Sequence, residues 1–219
     1  MPLEGGGLVS VVMAVYNAEP YVRDTLLSVL HQSYANLDII VVDDCSTDRS
    51  GEVIRELVNS DKRIRLLHTA GNSGGPACPR NIGISASLGG YVAFVDADDL
   101  WAPDKIEKQL SSMGADKVMS FTDNKIIDGN GHVLMARMPP AARFFRKMVA
   151  RHGFKFLLLS NQIVLSSVVV KKSILGELRY DEDDFMHAVE DYGLWLNIAK
   201  SHKNELSYLD LPLTLYRKH

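Results

Sequence analysis

Four short apolar runs, Leu8 to Val15, Leu37 to Val42, Ile64 to Leu67 and Tyr91 to Val95, recur in the first half of the chain, each followed by a helix-like stretch. Runs of strand length that stay apolar at consecutive positions are buried on both faces. Connections long enough to hold a helix favour parallel pairing, because a hairpin turn cannot span them. The pattern predicts a mainly parallel, Rossmann-like α/β sheet flanked by helices. Val22, Leu26, Leu27, Val29 and Leu30 supply the first helix face behind Pro20, and Val53, Ile54, Leu57 and Val58 the second, with Asp48 as its candidate cap. A third helix has its body at Ile82 to Leu88 and stops at Gly89-Gly90; Pro103 opens a fourth.

Beyond Lys117 the rhythm changes. Val118 to Thr122 and His132 to Met135 flank Asp128-Gly129-Asn130-Gly131, which predicts a hairpin. Ile163 to Val170 reads as a strand, Val189 to Ala199 as a helix and Leu206 to Tyr216 as extended. We expect one unit over residues 1–219: a nucleotide-binding half at 8–116 and a mixed half at 117–219 that extends the same sheet to receive a second substrate.

A formal charge of −3 and the lack of a basic tail argue against a nucleic-acid partner. Charge is nonetheless uneven. No acidic residue occurs from Gly129 to Gly176, where Arg137, Arg143, Arg146, Lys147, Arg151, Lys155, Lys171 and Lys172 stand. Within this stretch Phe144, Phe145, Met148, Phe154 and Phe156 interleave with the cations. Residues 143–159 read either as a helix lying on an anionic membrane or meeting a lipid-diphosphate acceptor, or as a core-packed helix with a solvated basic face. Cys45 and Cys78 lack metal-ligand spacing, and neither a secretory signal nor a membrane-length apolar run occurs. The expectation is a cytoplasmic protein, soluble or peripheral at the inner face of the membrane.

Three carboxylates crowd the end of the fourth run, in Asp96-Ala97-Asp98-Asp99. Ionising all three costs repulsion unless a cation, strong donors or open water absorbs it. Hard oxygen ligands suit Mg²⁺ or Mn²⁺, and the edge beyond strand C-termini is where α/β proteins place ligands. The same residues equally allow a solvated acidic turn, with Asp99 or Asp104 capping the next helix. Tyr16-Asn17 and Asp43-Asp44 follow the first two runs and would share that edge. Their convergence with the acidic cluster predicts a ligand site.

Five motifs then carry a resemblance. Val9-Ser10-Val11-Val12 leading to Val15-Tyr16-Asn17-Ala18, the run Val41-Val42-Asp43-Asp44-Cys45-Ser46-Thr47-Asp48, Arg80-Asn81-Ile82-Gly83, Phe94-Val95-Asp96-Ala97-Asp98-Asp99 and Glu190-Asp191-Tyr192 resemble, in order, the motifs of family 2 glycosyltransferases. A lone DXD is weak evidence, whereas five ordered motifs spanning nearly the whole chain are specific. The resemblance implies a GT-A fold and inverting transfer of a sugar from a nucleoside-diphosphate donor to a sugar or lipid-linked hydroxyl acceptor, in surface polysaccharide or glycolipid synthesis. It implies donor contacts at Ala14, Tyr16, Asn17, Asp44, Arg80, Asp96 and Ala97. Tyr16 would lie against the nucleobase. Asp44, with Asp43 able to share the role, would accept from the base N3–H, which favours uracil or thymine. Asp96 would meet the ribose, and Arg80 would either brace Asp96, Asp98 or a phosphate or form a plain surface ion pair. Asp98 and His219 are the implied ligands of Mn²⁺ or Mg²⁺, Asp191 the catalytic base and Glu190 a structural contact. Trp195, four residues beyond Asp191, reads either as part of an acceptor wall or, as an aromatic at that spacing more often is, as core.

The chain departs from the family pattern at several points. Ala14 stands where Pro is common, Cys45 where Gly is common, and Pro79 before Arg80 is expected to delay that helix start. His219, in a Tyr-Arg-x-His segment like one that packs near the diphosphate and metal, is the last residue, with the expectation of a frayed end and no tail beyond it to cover the donor. Two other classes compete. A sugar-nucleotide nucleotidyltransferase would carry a Gly-rich basic loop after the first strand, where Tyr16-Asn17-Ala18-Glu19 stands; a non-catalytic nucleotide-binding relative would not need Asp98 and Asp191 together.

Overall fold

The computed structural model describes residues 7–176, 178–183 and 189–219, so the expectation about the first few residues lies outside it. Strands β1 (Val9–Val15), β2 (Leu37–Asp43), β3 (Ile64–His68) and β4 (Tyr91–Phe94) pair in parallel in the order β3-β2-β1-β4. Helices α1 (Val22–Leu30), α2 (Ser50–Ser60) and α3 (Ala77–Ala86) are the crossovers. Alternate residues of β1 face opposite cores: Val9, Val11, Met13 and Val15 cluster with Leu26 and Ile54, and Val12 clusters with Ile84 and Phe94. The winding reverses between β1 and β4, which opens a crevice at their C-terminal ends.

Beyond β4 come β5 (Leu100–Trp101), α4 (Lys105–Met113), β6 (Met119–Ile127), β7 (Val133–Met135), α5 (Pro140–His152), α6 (Phe154–Leu157), a 3₁₀ turn at Leu165–Ser167, β8 (Val169–Lys171), α7 (Lys172–Leu175), α8 (Glu190–Ser201) and β9 (Leu206–Arg217). The sheet continues β4-β8-β6-β9-β5, with β7 paired to β6 in the expected hairpin. Strand β8 is antiparallel to both β4 and β6, and β9 is parallel to β6. Two reversals therefore bring β9 back into the direction of β1, and its C-terminal end reaches the same edge as the crevice.

Several local expectations change. Helix α3 begins at Ala77, before Pro79 and not after it, because a first-turn residue has no intrahelical N–H bond for proline to lose. Only Val169–Lys171 of the expected 163–170 strand pairs as a strand. Asp104 stands at the N-cap position of α4, as expected, but its carboxylate pairs with Lys108 and makes no cap hydrogen bond, while Asp99 Oδ1 accepts from Arg217 N at 2.8 Å. Trp195 is fully buried against Phe94 and forms core, not an acceptor wall. The basic stretch is not a uniformly solvated face either. Arg146 is buried, with Nη1 2.5 Å from Asp123 Oδ1 and Nη2 2.8 Å from Asn124 Oδ1, while Arg143 and Lys147 pair with Asp210. A register shift in the β6–β9 pairing places Pro212 opposite Asp123 and leaves Asp210 out of the ladder, free to meet α5. Among the described residues, no helix is long and apolar enough to cross a membrane.

Candidate active site

The crevice between β1 and β4 is a cavity of about 710 Å³. Ala14, Tyr16, Asn17, Asp44, Arg80, Asp96, Ala97, Asp98 and His219 all line it, so the structure gathers the residues expected to meet donor and metal from the C-terminal ends of β1, β2 and β4, from α3 and from the last residues of the chain. Each loop is anchored separately. Asn17 has φ 48°, a left-handed conformation that asparagine tolerates, and its Oδ1 accepts from Thr47 N at 2.8 Å and from Thr47 Oγ1 at 3.2 Å. Asp48 accepts from Glu19 N at 3.0 Å and Ser50 N at 2.9 Å, which ties the loop after β1 to the start of α2.

Asp44 is buried at the crevice floor and accepts from Thr69 Oγ1 at 2.7 Å, Ser73 N at 3.0 Å and Ser73 Oγ at 2.8 Å. These donors hold the carboxylate in one orientation. Asp43 instead turns to Ser46 N, 3.0 Å away, and is absent from the cavity lining. Tyr16 stands half exposed on the opposite wall. Thr69 and Ser73 were not singled out from the sequence; the Gly71 to Pro76 loop that follows β3 on this edge was the available signal.

Arg80 is buried, with Nη2 2.7 Å from Asp96 Oδ1, Nη1 2.5 Å from Glu190 Oε1, and its guanidinium 5.5 Å from the Tyr180 ring centroid. Neither a surface ion pair nor a contact to Asp98, it joins the acidic cluster to the first turn of α8. Gly83 permits this placement: a Cβ there would lie 2.4 Å from Val12 Cγ1, so α3 packs closer to β1 than any side chain would allow. Asp96 N donates to Ser166 Oγ at 2.9 Å. Burial pushes the Asp96 carboxyl up, Arg80 pulls it back, and Asp98 adds to the upward push. Asp99, more deeply buried, is pushed well above the usual carboxylate range.

The last residues close the crevice. Arg217 Nε donates to the Asp98 carbonyl at 2.8 Å, and its guanidinium lies 4.7 Å from the Tyr21 ring centroid. His219 is not frayed: its ring packs on Tyr21, and Nε2 lies 2.8 Å from Asp98 Oδ2. Asp98 and His219 thus offer one carboxylate and one imidazole side by side. Among the described residues no group of three potential protein ligands assembles. Two donors fit a Mg²⁺ or Mn²⁺ that takes its remaining ligands from phosphate oxygens and water.

A second cavity of about 500 Å³ meets the first at Arg80, Asp96 and Tyr216, and Asp191 lines it together with Asn161 and Gln162. Asp191 Oδ1 accepts from Tyr192 N at 2.6 Å, with Asn161 Nδ2 3.5 Å away. Burial first, then the neighbouring Glu190 charge, push its carboxyl up to about 6. Asn161 and Gln162 escaped the sequence reading because they lie in an irregular segment without a recognisable motif.

The model of glycosyl transferase family 2 matches residues 10–167, well over half of the chain. This chain is a family 2 glycosyltransferase. Similar family members include the putative teichuronic acid biosynthesis glycosyltransferase TuaG of Bacillus subtilis, 42% identical over 88% of this chain and 72% of that protein. The UDP-Glc:alpha-D-GlcNAc-diphosphoundecaprenol beta-1,3-glucosyltransferase WfgD of Escherichia coli is 33% identical over 88% of this chain and 70% of its own. Among solved structures, S. aureus TarS 1–349 in complex with UDP superimposes with a TM-score of 0.74 at 22% identity, which shows a shared GT-A fold. That match covers 96% of this chain but only 60% of the TarS chain. The family 2 assignment removes the nucleotidyltransferase reading.

Proposed function

We propose that this family 2 glycosyltransferase inverts: it moves a sugar from a UDP-sugar to a hydroxyl of a sugar or lipid-linked acceptor in surface-polysaccharide synthesis. The observation that carries the reading is Arg80, whose two ion pairs make the acidic cluster and the Glu190-Asp191 turn one rigid unit between two adjoining cavities. The larger cavity takes the donor. Tyr16 stacks on the base, Asp44 accepts its N3–H, and Asp96 meets the ribose. Asp98 and His219 hold Mg²⁺ or Mn²⁺, which when bound neutralises charge on the leaving diphosphate.

The smaller cavity takes the acceptor. As its hydroxyl oxygen bonds to the anomeric carbon, the bond from that carbon to the phosphate oxygen breaks on the opposite face, and the hydroxyl proton passes to Asp191. The products are the glycosylated acceptor with inverted configuration and UDP. A carboxylate held near 6 suits this task, because it is ionised near neutral pH yet basic enough to take a proton in the transition state. Similarity to WfgD, named for a diphosphoundecaprenol-linked acceptor, supports a lipid-linked acceptor, and similarity to TuaG, named for teichuronic acid biosynthesis, supports surface-polysaccharide synthesis. The decisive measurement is thermal shift and hydrolysis with UDP-, GDP- and dTDP-sugars, with and without Mn²⁺. The expected result is selective, metal-dependent stabilisation by UDP-sugars that Asp98→Ala abolishes; indifference of every nucleotide to metal would refute it.

A further inference from the structure

Helix α5 turns Arg143 and Arg146 inward and Phe144 outward. Arg143 and Arg146 reach Asp123, Asn124 and Asp210 on β6 and β9, and Arg146 and Val149 mark the buried side. Phe144, Met148 and Arg151 follow one another at i, i+4 and i+7, which places them on one stripe on the opposite side, with Lys147 at its margin pairing back to Asp210. Phe144 is 65% exposed, and Arg151 is exposed beside it. Past the break at Gly153, the short α6 and the residues that follow it expose Lys155, Leu158 and Leu159, the two leucines at 56% and 72%. Bulky apolar side chains alternate with cations across both segments, with no acidic residue anywhere between Gly129 and Gly176.

We infer that this face, formed by Phe144, Arg151, Lys155, Leu158 and Leu159, docks on an anionic lipid bilayer. Charge selects the occupant. A second copy meeting the same face about a two-fold axis would bring Arg151 and Lys155 against their own copies, with no carboxylate among the face residues to offset them. Anionic headgroups supply the missing charge, and the layer just beneath them accepts Phe144, Leu158 and Leu159 while Arg151 and Lys155 remain at headgroup level. Position supports the same occupant. Leu159 lies two residues before Asn161, which lines the acceptor cavity 3.5 Å from Asp191, so a docked bilayer would present the sugar of a lipid-linked acceptor at the cavity mouth. This last link rests on the proposed acceptor side; the docking face itself rests on exposure and charge.

The test is co-sedimentation of the full chain with phosphatidylcholine vesicles with and without phosphatidylglycerol, at low and high salt. Binding is expected only with phosphatidylglycerol and should weaken as salt rises. The variant Phe144→Ser/Leu158→Ser/Leu159→Ser should lose about tenfold or more in vesicle affinity, and Arg151→Gln/Lys155→Gln should lose affinity together with part of the salt dependence. All five positions are solvent-facing, so melting temperatures should stay at the parent value. Undiminished binding by the triple-serine variant overturns the proposal, as does lipid-free dimerisation abolished by the same changes. Asp191→Asn should bind vesicles like the parent chain while losing transfer; a parent chain that docks but transfers no sugar would count against the catalytic reading and leave the surface standing.

Discussion

In the first half of the chain, β1 and β2 bury mainly aliphatic side chains on both faces, with Ser10, Asp38 and Asp43 as the polar exceptions near the strand ends, whereas β6 in the second half buries Ser120, Thr122, Asp123 and Asn124 through its middle. Apolar burial is non-directional and needs only volume to be filled. A buried Asp123 needs a particular partner at a particular distance, which Arg146 supplies from α5. The parallel half thus holds its edge loops by packing beneath them, and the mixed half holds its shape through paired charge. Functional groups follow the same division. Asp44 rests on local hydrogen bonds within the parallel half, while Asp96 and Glu190 come from different halves and meet only through Arg80.

The strongest way to break this comparison is to remove the base on the mixed side. Asp191→Asn should lower transfer by about 10²–10⁴-fold while calorimetry shows UDP-sugar binding unchanged; full transfer by this variant would eliminate the base assignment. Next in size is Arg146→Met, which leaves Asp123 buried without its partner and should cost about 3–5 kcal/mol in urea unfolding. The matched change in the parallel half, Ile40→Val, should cost only about 0.5–1.5 kcal/mol. Similar losses in both would erase the contrast, and recovery in Asp123→Leu/Arg146→Met would sharpen it.

The pH profile tests the junction of the halves. Asp191 titrates near 6 and must be deprotonated to act, so activity should fall as pH drops below that value, about tenfold per unit, and level off above it. Asp191→Glu, if active, should shift the inflection; a flat profile across it would exclude Asp191 as the titrating group. The smallest effect is expected at the donor edge, where Tyr16→Ala should weaken UDP binding by about 1–3 kcal/mol with little change in melting temperature. Unaltered affinity would remove the stacking role.

The parallel half was largely legible because each of its elements carries its own signal. β1, β2, β3 and β4 are predominantly apolar runs of strand length, and residues that line the crevice lie just after β1, β2 and β4, at Tyr16, Asp44 and Asp96. The mixed half was less legible because its partners are distant. Nothing local in Leu206 to Arg217 says that it will run parallel beside β6, that Asp210 will leave the ladder, or that Arg146 will turn inward to Asp123. Trp195 was open between core and acceptor wall for the same reason: its spacing from Asp191 was visible, but its contact with Phe94 was not.

Sequence alone determined the strand and helix rhythm of the first half, the order of the five motifs and the identity of the carboxylates, since periodicity and residue chemistry are local properties. Tertiary structure decided which of those carboxylates share a site. It separated Asp98 beside His219 from Asp99 beneath Arg217, excluded Asp43 from the crevice that Asp44 lines, and joined Asp96 to Glu190 through Arg80. A carboxylate's ionisation and reach depend on burial and on charges a few ångströms away, and those neighbours come from distant parts of the chain.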